Sequence, residues 1–178
     1  GGFRRSLAAG VRGFETDVRL TKDDELVIMH DQNVSRTTTG KGDTHDLTLT
    51  ELQALKLKRC GENVPSAREV AEVFRGVKGI RVEWEMKEST AKLGARRGAL
   101  YVDKLYELVS RTMEPGTYAF TSFMSETLET MRKRHPEAPV GFITGKALTR
   151  EFVDKAVALG CCAVAPGLKG TTKEMIDY

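Results

Sequence analysis

Residues 14–31, FETDVRLTKDDELVIMHD, bring two carboxylates, a polar turn and a histidine into one short stretch. On a strand, side chains i and i+2 point to the same face, so Glu15 and Asp17 look the same way. Like charges that close repel unless a cation sits between them, and paired oxygen ligands suit a hard divalent ion. GFETDVRL and ELVIMH read as strands, separated by Thr21-Lys22-Asp23-Asp24. That gap is too short for a crossover, so the two strands form an antiparallel hairpin. Folding it about Asp23 brings His30 opposite Thr16 or Asp17, beside the carboxylates.

Outward from the hairpin, residues 3–9 read as the last turns of a helix stopped by Gly10. Residues 31–65 form a polar excursion with a short helix near 50–57, opened by a Thr48/Glu51 capping box. Ser66 and Glu69 form a second box, opening a helix through Phe74. From there strand and helix alternate: GIRVEWEMK (79–87), then GALYVDKLYELVSRTM; TYAFTSF, then SETLETMRKR; PVGFIT, then TREFVDKAVALG; CCAVAP, then a helix from near Thr171. The alternation specifies a parallel α/β sheet, which both a doubly wound sheet and a (β/α)8 barrel satisfy.

The bulk properties fit one folded unit. The chain has 178 residues, 40% hydrophobic and 30% charged, and its 28 basic residues against 25 acidic ones are too balanced for a nucleic-acid surface. No apolar run reaches the length of a membrane helix, and no signal peptide opens the sequence. Gly1-Gly2 reads as a cut end. Cys60, Cys161 and Cys162 match neither a disulfide framework nor a zinc spacing, which suggests reduced thiols and a cytoplasmic location.

VEWEMK carries the second part of the chemistry. Glu83, Glu85 and Lys87 share one face, whereas a buried parallel strand is normally apolar on both. Either this is an edge strand with a solvated face, or Glu85 is a third oxygen ligand and Lys87 an anion binder at the strand's C-terminal end, where α/β sites are built. Three carboxylates without clustered Cys or His favour Mg²⁺ or Ca²⁺ over zinc. With His30 to move a proton and Lys87 to neutralise phosphoryl oxygens, the set suits phosphate ester chemistry. Ser122, at a strand end, is a candidate substrate contact or a helix cap. His45 and His135 read as solvated, and RTTTGKG (36–42) lacks the spacing of a phosphate loop.

The stretch ETDVRLTKDDELVIMHDQNVSRTTTGKG resembles the glycerophosphodiester phosphodiesterase family, and the resemblance continues through VPSAREV, WEMK, TSF and VAPGL. It implies a (β/α)8 TIM barrel of the phospholipase-C-like phosphodiesterase type, hydrolysing glycerophosphodiesters to an alcohol and glycerol 3-phosphate with a divalent cation. It implies metal ligands at Glu15, Asp17 and Glu85, a catalytic histidine at His30, a phosphate-site lysine at Lys87, and a family insertion at 31–65. Residues 1–178 thus read as one partial barrel domain with its hairpin and insert at about 18–65. The family begins with a His-Arg-Gly motif and then Glu-Asn-Thr, and this sequence starts after the place of both and stops before that of the family's Trp-Thr-Val-Asn strand. Five barrel strands are expected, near 13–17, 80–87, 117–122, 139–144 and 161–165, without the first and the last two. Two sheet edges are then exposed.

The expected partner is a small glycerophosphodiester, with no nucleic acid, and the expected role of His30 leans towards proton donor to the leaving group. The alternatives are phospholipid cleavage of the sphingomyelinase D kind, a non-catalytic barrel that binds metal or a partner, and a metal-dependent phosphosugar isomerase.

Overall fold

The computed structural model describes all residues, Gly1–Tyr178. Helix α1 (Gly2–Ala8) ends at Gly10, whose φ of 91° is open to glycine at no steric cost. Strands β1 (Gly13–Leu20) and β2 (Leu26–Ile28) form the expected hairpin, with Val18 opposite Ile28 and Leu20 opposite Leu26. Its turn closes on side chains: the Thr21 hydroxyl donates to Asp23 at 2.6 Å and accepts the Glu25 N–H at 2.9 Å. Asp24 takes a positive φ of 60°, a conformation that short acidic side chains tolerate.

The polar excursion contains two single 3-10 turns, Val34–Arg36 and Thr44–Asp46, and helix α2 (Leu49–Ala54). It is not a bare loop, because Val34, Leu52 and Val64 close a small apolar cluster with Val27 and Met29 of the hairpin. Helix α3 (Ala67–Phe74) follows, and both expected capping boxes are present, at Thr48/Glu51 and Ser66/Glu69.

Strands β3 (Arg81–Met86), β4 (Tyr118–Ser122), β5 (Val140–Ile143) and β6 (Ala163–Ala165) alternate with helices α4 (Thr90–Thr112), α5 (Ser125–Arg134), α6 (Arg150–Ala158) and α7 (Lys173–Asp177). Helix α4 begins at Thr90 rather than at the expected Gly98. Ser89 caps an extra first turn, and Gly94, at φ 78° and ψ 164°, kinks it against the rest.

The sheet order β2-β1-β3-β4-β5-β6 settles the choice that alternation left open. From β1 to β6 all pairs are parallel and follow chain order without a reversal. A doubly wound sheet needs a reversal, so this is an arc of a singly wound (β/α) barrel. One sheet face packs Val18, Trp84, Met86, Phe120 and Val140 against Phe74, Tyr101, Leu105, Leu128 and Ala156 of the helices. The other face lines the barrel interior. As expected, two strands are edges: β2, and β6, whose three residues are all exposed. No helix is long and apolar enough to cross a membrane.

Candidate active site

The interior face is read most directly from the strand register. Glu15 pairs with Glu83 and Asp17 with Glu85 across β1 and β3; Glu85 pairs with Thr121, and Thr121 with Gly141. Residues paired across a sheet point to the same side, so Asp17, Glu85 and Thr121 form one layer of the barrel interior. Strand β3 lies between β1 and β4, which removes the edge-strand reading of its charged face.

Glu15, Asp17 and Glu85 each offer an oxygen such that the three lie within 4.8 Å of one another. Their mutual repulsion is visible in Glu15. Burial of its carboxyl end first, then the charges of Asp17 and Glu85, push its pKa up to about 7 against the pull of Lys87 and His30. Lys87 offsets part of the charge, its Nζ lying 2.7 Å from Glu85 and 3.4 Å from Asp17. Three clustered hard oxygen donors, still repelling one another with a lysine among them, fit a hard divalent cation.

His30 stands at the end of β2. Its neighbour Met29 donates its N–H to the Asp17 carbonyl at 3.0 Å, so the hairpin delivers the imidazole to the carboxylate layer. The ring is largely exposed, and its Nδ1 lies 2.7 Å from Asp31 Oδ1. Arg36 grips the same carboxylate through Nε and through Nη2, the latter at 2.8 Å. The hydrogen bond from Arg36, then that from His30, holds Asp31 well below the usual carboxylate range. An ionised carboxylate only accepts, so Nδ1 carries a proton and Nε2 is left to take or give the second one. Asp31 and Arg36 had no assigned role in the sequence reading; the signal was the adjacent His-Asp followed by Arg five residues later.

Several expectations need correction. Ser122 does not face the interior. It is fully buried on the opposite face, donating to the Met86 carbonyl at 2.9 Å and accepting the Met124 N–H at 3.1 Å. The interior-facing hydroxyl is its neighbour Thr121, buried and without a hydrogen-bond partner. Trp84 is also fully buried, packed edge-on against Phe74 in the outer core.

Neither His45 nor His135 is solvated. His45 Nε2 lies 3.0 Å from Glu88 Oε2, and the opposite oxygen of Glu88 is 3.4 Å from Arg19 Nη1 and from the Leu20 amide. Burial alone would raise the pKa of Glu88, but His45 and Arg19 outweigh it and hold the group below its ordinary value. His135 stacks on Tyr106 at 4.0 Å and pairs with Asp103 at 2.9 Å, on the outer helix layer.

Comparison with known proteins identifies the family and the fold. The profile of the Glycerophosphoryl diester phosphodiesterase family matches residues 1–176. A glycerophosphodiester phosphodiesterase of Caldanaerobacter subterraneus is 32% identical over 148 residues, covering 79% of this chain and 58% of the relative. A Bacillus subtilis protein of the same name is 27% identical over 139 residues, covering 70% and 47%. The chain thus spans about half the length of the curated relatives it matches.

Among solved structures, an Oleispira antarctica phosphodiesterase in complex with the product sn-glycerol-3-phosphate superposes with a TM-score of 0.80 at 23% identity, covering 92% of this chain and 66% of that one. A glycerophosphodiester phosphodiesterase from Agrobacterium tumefaciens gives 0.71 at 21% identity, covering 91% and 66%. At these identities the superpositions speak for the fold.

Proposed function

Since the chain belongs to the glycerophosphoryl diester phosphodiesterase family, we propose that its interior layer is part of the site where a glycerophosphodiester is hydrolysed to an alcohol and glycerol 3-phosphate. The observation that carries this reading is the three-carboxylate cluster with a carboxylate-held histidine delivered to it by the hairpin. Glu15, Asp17 and Glu85 would hold a divalent cation, Mg²⁺ or Ca²⁺. When bound, the cation polarises the phosphoryl oxygens and neutralises their charge.

The remaining roles fall to the chain's own groups. With its carboxylate partners engaged, Lys87 is free to turn to a phosphoryl oxygen. In the displacement, a bond forms between phosphorus and the substrate's adjacent hydroxyl, whose proton passes to solvent, and the bond from phosphorus to the leaving alcohol breaks. His30 gives its Nε2 proton to the departing alkoxide and becomes a neutral imidazole still held at Nδ1 by Asp31. Water then adds to phosphorus as its proton returns to Nε2 of His30, and the ring bond from phosphorus to the former hydroxyl oxygen breaks, that oxygen taking a proton from solvent, to leave glycerol 3-phosphate. Asp31 and Arg36 act as positioning residues, and Thr121 supplies a hydroxyl beside Glu85.

The partner in this reading is the small diester alone. Three free cysteines fit a cytoplasmic protein, which cell fractionation would test.

The test is release of glycerol 3-phosphate from glycerophosphocholine by the protein that carries this chain, with EDTA and then with Mg²⁺ or Ca²⁺ added back. Release that EDTA stops and a cation restores supports the reading and names the ion. No release under any cation, with cleavage of a dispersed lysophospholipid instead, would replace it.

A further inference from the structure

A cavity of about 430 Å³ adjoins the carboxylate layer and shares Lys87 with it. Its origin lies in the same two strands. On β1 the interior face runs Glu15, Asp17, Arg19; on β3 and just past its end it runs Glu83, Glu85, Lys87. Each face thus changes sign at the same level: carboxylates along the strands, cations towards and just past their C-terminal ends, with Lys87 Nζ turned back to Asp17 and Glu85. Lys87 and Arg19 are neighbours at that level, the Lys87 amide donating to the Val18 carbonyl at 3.2 Å.

Helix α4 completes the cavity. The kink at Gly94 sets its first turn, with Lys92, apart from the main helix, with Arg97, and both line the space. The cavity therefore has four permanent cations, Arg19, Lys87, Lys92 and Arg97, against one carboxylate, Glu88. That carboxylate is already engaged, accepting from Arg19, His45 and the Leu20 amide. Arg97 is anchored by Asp24 at 2.7 Å and the Thr21 carbonyl at 2.9 Å. Lys92 is exposed and enters no ion pair, so its charge is free for a ligand.

We propose that this cavity is a head-group subsite that selects glycerophosphodiesters whose alcohol carries its own negative charge, a carboxylate or a second phosphate. The proposal rests on the phosphodiesterase reading: a diester whose phosphoryl group sits at the carboxylate layer extends its alcohol towards these cations. Arg19, Lys87 and Arg97 are paired with carboxylates, so the uncompensated charge is that of Lys92, which repels a quaternary ammonium and attracts an anionic head group.

Two measurements test this, and the first needs no turnover. In EDTA the clustered carboxylates repel anions, so calorimetric titration with inorganic phosphate reads the basic cavity, and the Lys92 variants assign the signal to it. Phosphate is expected to bind, choline chloride to give no signal, and Lys92→Glu to weaken phosphate at least tenfold, with Lys92→Arg retaining it. Absence of phosphate binding, or indifference to Lys92→Glu, overturns the assignment even if the enzyme is active.

The second measurement compares kcat/KM for glycerophosphoserine and glycerophosphoethanolamine, which differ only by one carboxylate. A preference for the serine compound of about tenfold, falling towards one in Lys92→Glu, supports the subsite. Phosphate binding without that preference would make the cavity a site for free phosphate and overturn the head-group assignment. If phosphate binds as expected but neither diester is cleaved, the phosphodiesterase reading fails and the head-group assignment falls with it, leaving an anion site.

Discussion

His30, Asp31 and Arg36 show how far three side chains can fix one proton. Arg36 keeps Asp31 ionised, and Asp31 accepts from Nδ1, so only Nε2 of His30 is left for chemistry. General acid catalysis by such a group contributes on the order of 10²–10⁴ in rate. His30→Ala should therefore cut kcat by about that factor while calorimetry still detects cation binding, and retained turnover would remove His30 from the mechanism. Asp31→Asn should lower kcat by roughly 10–100-fold with little change in KM, as loss of an orienting partner does.

The carboxylates make the complementary case. A cation at a hundred times its Kd should stabilise the fold by about 2.7 kcal/mol, seen as a rise in Tm. Asp17→Asn should abolish that rise, and a Tm gain of unchanged size would exclude Asp17 as a ligand.

At the scale of elements, the hairpin and the insert are held to the barrel by Glu88. It joins β1 through Arg19 and the Leu20 amide, and the second 3-10 turn through His45, at a site where the Arg19 and Glu88 side chains are 10% and 6% exposed. Removing one partner from such a buried cluster costs about 3 kcal/mol, because the other charges are left uncompensated. Glu88→Ala should lower stability by that order in urea titrations.

The sign of the pH dependence follows from the depressed pKa. Glu88 contributes its stability fully above the ordinary glutamate value of 4.5, and the contribution is lost as the pH falls through the lower folded value. The gap in Tm between wild type and Glu88→Ala should thus narrow below about pH 4; a gap that widens there would contradict the ion cluster. The two capping boxes act more locally, and Thr48→Ala or Ser66→Ala should cost about 1 kcal/mol each.

For the whole molecule, the decisive feature is a sheet with helices on one side and chemistry on the other. Trp84 is the only tryptophan in the sequence and lies at 0% exposure between the central strands and α3. Its emission should be blue-shifted in the folded protein and shift to the red in one step with loss of far-UV circular dichroism. An emission change that precedes the loss of secondary structure would show that the sheet–helix core is not the cooperative unit.

What the sequence by itself determined is what depends on neighbours along the chain. Alternation on β1 and β3 placed Glu15 with Asp17 and Glu85 with Lys87; the short Thr21–Asp24 link required a hairpin; and two S/T-x-x-E boxes marked helix starts that the structure reproduces. Each is set by backbone geometry over a few residues. Only the tertiary structure decided what depends on partners distant in the chain. Ser122 and Thr121 are adjacent, chemically alike and equally plausible from sequence, yet the register with Glu85 turns Thr121 inward and Ser122 into the core. His45 looks like a loop histidine until the insert folds back and brings it to Glu88, 43 positions away. From alternation alone the barrel was one of two topologies; the family resemblance implied it and pairing showed the strands in chain order, because alternation fixes which segments are strands and pairing fixes how they wind.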